Sequence, residues 1–188
     1  MLDVALTFLV NNFNAYLMAR TGGDFGKAEL SRLVNDQGKW AIDQDHIGAT
    51  LINIEEERVL KEQVPETRYV NGRHVVLAPP LRLNLHVLFA ANLKQYDQAL
   101  KYLSYVLTYF QAHPSFTQAE HPDLDPRIDR LVVELLSLTY DQLNQVWTFI
   151  GGKQLPSAAY KIRMLVLQDP EADVAVPLQS IDTEIHGR

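Results

Sequence analysis

The sequence predicts an α+β domain, a mixed or antiparallel sheet packed against a few helices. Two observations carry that expectation. Segments with strand character come in runs, and only three stretches, at the start, the middle and near the end, have helical spacing. Runs of strands separated by few helices fit α+β better than a regular βαβ alternation. A chain of 188 residues suits one domain, because at that size roughly 70% of the surface of the unfolded chain can be buried. No internal repeat or dividing linker interrupts it. The expected boundaries are a domain over 1–168 and a C-terminal tail over 169–188 that serves as an interaction arm.

Leu2, Leu6, Leu9, Phe13 and Leu17 recur at helical spacing, and Thr21-Gly22-Gly23 closes that first helix, glycine being the residue that tolerates a left-handed cap. The stretch 27–42 reads as a short strand, a polar turn from Asn35 to Gly38 and a second short segment. A long strand follows, in which Ile47, Leu51 and Ile54 mix with Thr50, Ile52 and Val59. Asn71-Gly72 sits between extended-favouring residues, the strongest short hairpin signal, and predicts a protruding flap. After Pro79-Pro80, Leu81, Leu83, Leu85, Val87 and Phe89 alternate with Arg82, Asn84 and His86, placing the two sets on opposite faces of a strand.

A second helix is expected to start near Asn92 and Gln95, with Leu93, Tyr96, Leu100, Leu103, Leu107 and Phe110 as its apolar stripe. Pro114 ends it. Residues 115–126 read as an acidic, proline-punctuated loop. The run from Arg130 to Leu138 fits a buried strand or a helical turn, and periodicity alone does not decide. Thr139 and Gln142 have the capping-box spacing of a helix start, and Gly151-Gly152 its end. Ala158 to Leu167 predicts a last strand.

Composition excludes several function classes. Cysteine is absent, which removes disulfides, thiolate metal sites and thiol nucleophiles. The formal net charge is −6 and the pI about 5.5, with no Lys/Arg stripe to neutralise phosphates, so nucleic acid is not an expected partner. No run reaches the ~20 apolar residues a membrane span needs, and no secretory signal is expected at the N-terminus.

Chemistry-bearing motifs are equally sparse. Thr21 to Lys27 reads TGGDFGK, but Thr21 replaces the first P-loop glycine, and Ala28 stands where a magnesium-binding hydroxyl belongs. His113, Glu120, His121, Asp123 and Asp125 share one loop, yet match no metal-ligand template. No G-x-S-x-G elbow exists. Glu55 and Glu57 share one face of a strand, with Glu56 on the other. They read as a charged edge that discourages aggregation, or as partners for basic residues of a neighbour, rather than as an acid/base pair. No catalytic, cofactor-binding or metal residue is assigned, and no cofactor is expected.

Four segments carry a family resemblance: LTFLVNNFNAYL, TLINIEEERVLK, APPLRLNLHVLFAANLKQYDQALKYLSYVLTYFQ and LTYDQLNQVWTFIGGKQLPSAAYKIRMLVLQ. In that order they resemble the cap, or tube-terminator, proteins of extracellular contractile injection systems, over about Leu2 to Leu167. The resemblance implies a tail-terminator-like α+β fold. It further implies a non-enzymatic subunit that closes the distal end of the inner tube and sheath as a hexameric ring. The expected partners are then further copies of the chain, the inner tube protein and the sheath protein, with synthesis and assembly in the cytoplasm as part of a phage-tail-like particle. A terminator of a phage or of a membrane-anchored contractile tail is the near alternative. A metal-dependent enzyme using the 113–125 loop is the distant one. A ring needs two different faces that meet head to tail. The candidate interface residues are Glu55, Glu56, Glu57, Asn71, Gly72, Lys153, Lys161 and Arg163, with Lys161 and Arg163, joined by Lys153, forming a basic face. Trp147 and Tyr160 read as core.

Overall fold

A computed structural model of the chain describes residues 1–23, 26–57, 66–70, 73–77 and 81–166. In chain order these form α1 (Leu2–Thr21), β1 (Ala28–Leu30), β2 (His46–Glu56), β3 (Glu66–Val70), β4 (Arg73–Leu77) and β5 (Leu81–Asn92). They continue with α2 (Tyr96–Ala112), β6 (Ser115–Thr117), β7 (Ile128–Leu136), α3 (Tyr140–Ile150) and β8 (Ser157–Val166). Six strands make one sheet in the order β1-β2-β5-β8-β7-β6. The β1–β2 pair is parallel and the other pairs are antiparallel. This is the expected α+β class.

The sheet curls around α1. Asn14 of that helix exchanges hydrogen bonds with the backbone of Ala28 at 2.7 and 2.9 Å, on one edge strand. Phe8 meets Phe116 of the other edge strand edge-to-face at 5.6 Å. Such a position buries more than one face of the helix, Ala5, Phe8 and Val10 along with Leu6, Leu9, Phe13 and Leu17, while Thr7, Asn11 and Met18 stay exposed. Each fully buried Leu or Phe contributes about 1.5–3 kcal/mol of transfer free energy, so α1 supplies much of the principal core.

The alternation read in β5 holds: Leu85, Val87 and Phe89 face α1 and α2, and Asn84 and His86 face away. The far side of the sheet has its own, smaller core. Leu88, Ala90 and Ala159 pack there under Val146 and Trp147 of α3 and under Leu33 and Ile42 of the 31–45 loop. Gly48 makes that loop's approach possible, since a Cβ there would come within 2.6 Å of Ile42 and 2.9 Å of Leu33.

Several details depart from expectation. Asn92 ends β5, and Gln95 is the N-cap of α2 without a side-chain cap bond. The buried face of α2 is Ala99, Tyr102, Val106, Tyr109 and Phe110, while Tyr96, Leu100 and Leu107 are exposed. The apolar arc of this helix is wider than one contact face, and Tyr109, whose ring lies tilted against Phe13 and Tyr16 of α1, takes an inner position. A three-residue strand, β6, lies within the expected 115–126 loop and buries Phe116 completely. Residues 128–136 are strand, which resolves the ambiguity there. The hairpin forms as β3–β4, a two-stranded sheet apart from the main one. Its Asn71-Gly72 tip, like the tail over 167–188, lies outside the described residues.

A candidate assembly surface on the sheet

Where α3 stops covering the outer face of the sheet, four strands expose a polar ladder. Register places Asn53 of β2, His86 of β5, Lys161 of β8 and Glu134 of β7 in one row, and Glu55, Asn84, Arg163 and Val132 in the next. A bulge between Leu51 and Asn53 sets this phase. It turns Asn53 and Glu55 to the ladder face, while Leu51 before it packs into the principal core. One extra residue switches which side chains share a face.

The ladder is tied together by charge. Glu134 accepts from the Arg163 guanidinium through both oxygens and lies 3.8 Å from Lys161 Nζ. His86 Nε2 is 3.6 Å from Glu55, whose other oxygen accepts from Asn53 at 3.0 Å. Asn84, 7% exposed, donates to Glu57 at 3.2 Å. The Asn84 carbonyl oxygen and His86 Nε2 are buried without a hydrogen bond among the described residues. Leaving such a group unsatisfied costs about 1–3 kcal/mol. At the Val166 end of the sheet the ladder opens into a cleft of about 260 Å³ lined by Glu57, Arg82, Asn84, Asp129, Arg130 and Arg163, among others.

Of the sequence-derived interface residues, Glu55, Glu57, Lys161 and Arg163 therefore meet on one face. Glu56, paired with Leu83, is on the other. Lys153 follows Gly152, where a Cβ would press against Val34 and the Trp40 ring. That point belongs to the far-side core, at the opposite end of β8 from Arg163, so Lys153 does not join the basic pair. The residue that sequence reasoning missed is Glu134, the acid that both cations engage. Its parity on β7 would have pointed to it, but only once 128–136 was known to be strand.

Trp147 and Tyr160 are core, at 5% and 2% exposure. Burial pushes the Tyr160 phenol, and that of Tyr109, up to about 12. The 113–125 loop uses its side chains for packing and local bonds. His121 lies edge-on to Phe8 and tilted against Phe116, and Glu120 accepts from Thr117. Hydrogen bonds from Arg127 hold the Asp125 carboxyl down at about 2. Among the described residues no group of three His, Asp or Glu side chains is placed to hold a metal ion. The glycines after Thr21 cap the end of α1 rather than opening a helix, which is the reverse of a P-loop's placement.

The fold is similar to the sheath/tube terminator of an extracellular contractile injection system, PVC, in its extended state. The TM-score is 0.61 at 17% identity, over 95% of this chain and 62% of that one. It is also similar to the tube-terminating cap of the anti-feeding prophage, with a TM-score of 0.52 at 17% identity, over 81% of this chain and 56% of that one. The chain thus spans about three-fifths of the length of these solved chains. No curated protein matches it. The model of one family, the Pvc16 N-terminal domain, matches residues 6–180. The chain belongs to the Pvc16 N-terminal domain family.

Proposed function

We propose that this chain is a structural cap, or terminator, subunit that closes the distal end of the inner tube and sheath of a contractile injection system as a hexameric ring. The observation that carries the reading is the family match over residues 6–180, together with a fold shared with two tube-terminating proteins. The role is geometric. The subunit covers the open tube end, fixes its length and anchors the last sheath ring, and no chemical step is required. Its partners are further copies of itself, the tube protein and the sheath protein.

Ring closure needs head-to-tail contacts between unlike faces. The polar ladder with Glu55, Glu57, Lys161 and Arg163 is one such face in this reading. Glu56, Lys153, the hairpin tip at Asn71 and Gly72, and the 169–188 arm supply contacts elsewhere. Support for the ladder comes from its charged side chains Lys161, Glu134 and Arg163, which share one face and stay about three-tenths to one-half exposed there.

Electron microscopy of particles from a strain lacking the gene tests the role. Tubes of uncontrolled length, or sheaths loose at an uncapped end, restored by the wild-type gene, are expected. Particles of normal length with an intact cap would overturn it.

A further inference from the structure

Where β5 runs out at Asn92, a cavity of about 520 Å³ opens between the last turn of α1 and the start of α2. Three cations line it from three places in the chain: Arg20 of α1, Lys94 of the turn after β5, and Lys101 of α2. All three are exposed, and none has an ion-pair partner among the described residues. Asp45 is the one carboxylate in the lining, and it accepts from the Lys94 backbone N–H at 3.2 Å. The rings of Tyr102 and Tyr105, edge-on at 5.8 Å, form a wall. An acidic loop sits at the far end of the same strand. Leu81 of β5 and Ile128 of β7 both pair with Val166, so the loop leading into β7 lies about 40 Å from the cavity, at ~3.3 Å per residue along the twelve residues of β5. Its Glu120 and Asp123 are exposed. The loop is held in shape: the Thr117 carbonyl accepts from the N–H groups of Glu120 and His121 at 3.2 and 2.8 Å, and Leu124, which is buried, donates to His121 at 3.0 Å. Arg127 is committed to Asp125, and Arg130 reaches the cleft on the ladder side, so neither neutralises Glu120 and Asp123 by an ion pair.

We infer that the cavity receives the acidic loop of a second copy of the chain, with Glu120 and Asp123 set against Lys94 and Lys101 and Arg20 as the third cation. The two surfaces are unlike and lie at opposite ends of one subunit, which is what a head-to-tail contact requires. A protruding loop fits a concave site, and opposite charges set its register and speed the encounter. Because the loop is already fixed by its own backbone bonds and by Phe116 and Leu124 in the core, little ordering is left to lose on docking. The ring that this contact would help close rests on the cap reading; the contact itself can be measured in the free chain.

Carbodiimide coupling, which joins a lysine amine directly to a carboxylate it touches, tests it, with mass spectrometry of the products. It is run on the purified full chain at rising concentration and on isolated particles. Since the two sites are at opposite ends of the chain, a bond between Lys94 or Lys101 and Glu120 or Asp123 reports two copies. That bond is expected in capped particles, and K94E/K101E and E120K/D123K are each expected to lower the fraction of particles carrying a cap at least tenfold. An equimolar mixture of the two variants recovers capping, since each supplies the charge the other lacks. Far-UV circular dichroism of each variant separates a lost contact from a lost fold. Capped particles without the bond, or with Lys94 and Lys101 joined instead to the tube or sheath protein, overturn the proposal, as do two variants that cap as well as wild type. If particles keep an intact cap without the gene, the cap role fails by itself. The contact is then upheld by a bond that rises with concentration in the free chain, and overturned by its absence there.

Discussion

Tyr160 and Tyr109 show how burial shapes single groups. Both phenols are pushed up to about 12 by desolvation, against an ordinary value near 10. Their folded-state pKa is raised, so the native chain holds two protons that the unfolded chain releases between about pH 10 and 12. The stability tied to those protons is complete below pH 10 and is lost as pH rises towards 12. For each phenol the loss is up to about 1.4 kcal/mol per tenfold difference in proton affinity between the folded and unfolded chain. Thermal unfolding at pH 9 and pH 11 is expected to show the decline. Tyr160→Phe should keep the ring's packing on Phe89 and Phe110, leave the pH 8 stability within about 1 kcal/mol, and flatten the fall between the two pH values. An equally steep fall in the variant would mean that Tyr160 does not contribute. The core role of this ring was legible from strand parity alone. The partner of its neighbours Lys161 and Arg163 was not, because a cross-strand pair depends on register, and register is set by the whole sheet.

At the scale of elements, the signals that survived into the structure are those with local chemistry. Thr139 accepts from the Gln142 backbone N–H at 3.3 Å, and Gln142 accepts in return from the Thr139 N–H at 2.9 Å. Gly151 takes φ +77 to close the same helix. Two orphan donors are satisfied reciprocally at the N-terminus, so Thr139→Ala is expected to cost about 1 kcal/mol, with Thr139→Ser retaining most of it. Chemical denaturation of the three proteins measures this. Equal stabilities would mean that helix α3 is held by Val146 and Trp147 alone. Elements without such chemistry were harder to read. Helix α2 is apolar around more than one face; spacing pointed to one stripe through Leu100 and Leu107, whereas the fold buries Tyr102 and Tyr109 and leaves those leucines exposed. Strand β6 has only three residues, too short for any period to register, and exists because Phe116 fills the space beside Phe8.

For the whole molecule, the open question is what Lys161 and Arg163 serve. Both engage Glu134 within the chain, and all three side chains remain between about three-tenths and one-half exposed. Partly exposed pairs of this kind are worth about 0–1 kcal/mol, so the fold does not depend on them, and a partner's carboxylate could compete with Glu134 at little cost. Two variants separate the roles. K161E/R163E reverses the basic face and sets like charges beside Glu134, and Glu134→Gln releases both cations without moving them from the sheet. If the pair docks a neighbouring subunit, the tube or the sheath, K161E/R163E should lose at least tenfold in the fraction of particles carrying a cap, while Glu134→Gln assembles as well as wild type or better. If the pair only closes the sheet, the two variants should behave alike, both losing about 1 kcal/mol or less in thermal unfolding and both assembling normally. Particle counts by negative-stain microscopy, beside melting curves of the free subunits, distinguish the outcomes. The second outcome would remove Lys161 and Arg163 from the interface and leave ring closure to the other face of the sheet, the exposed outer side of α2, or the hairpin.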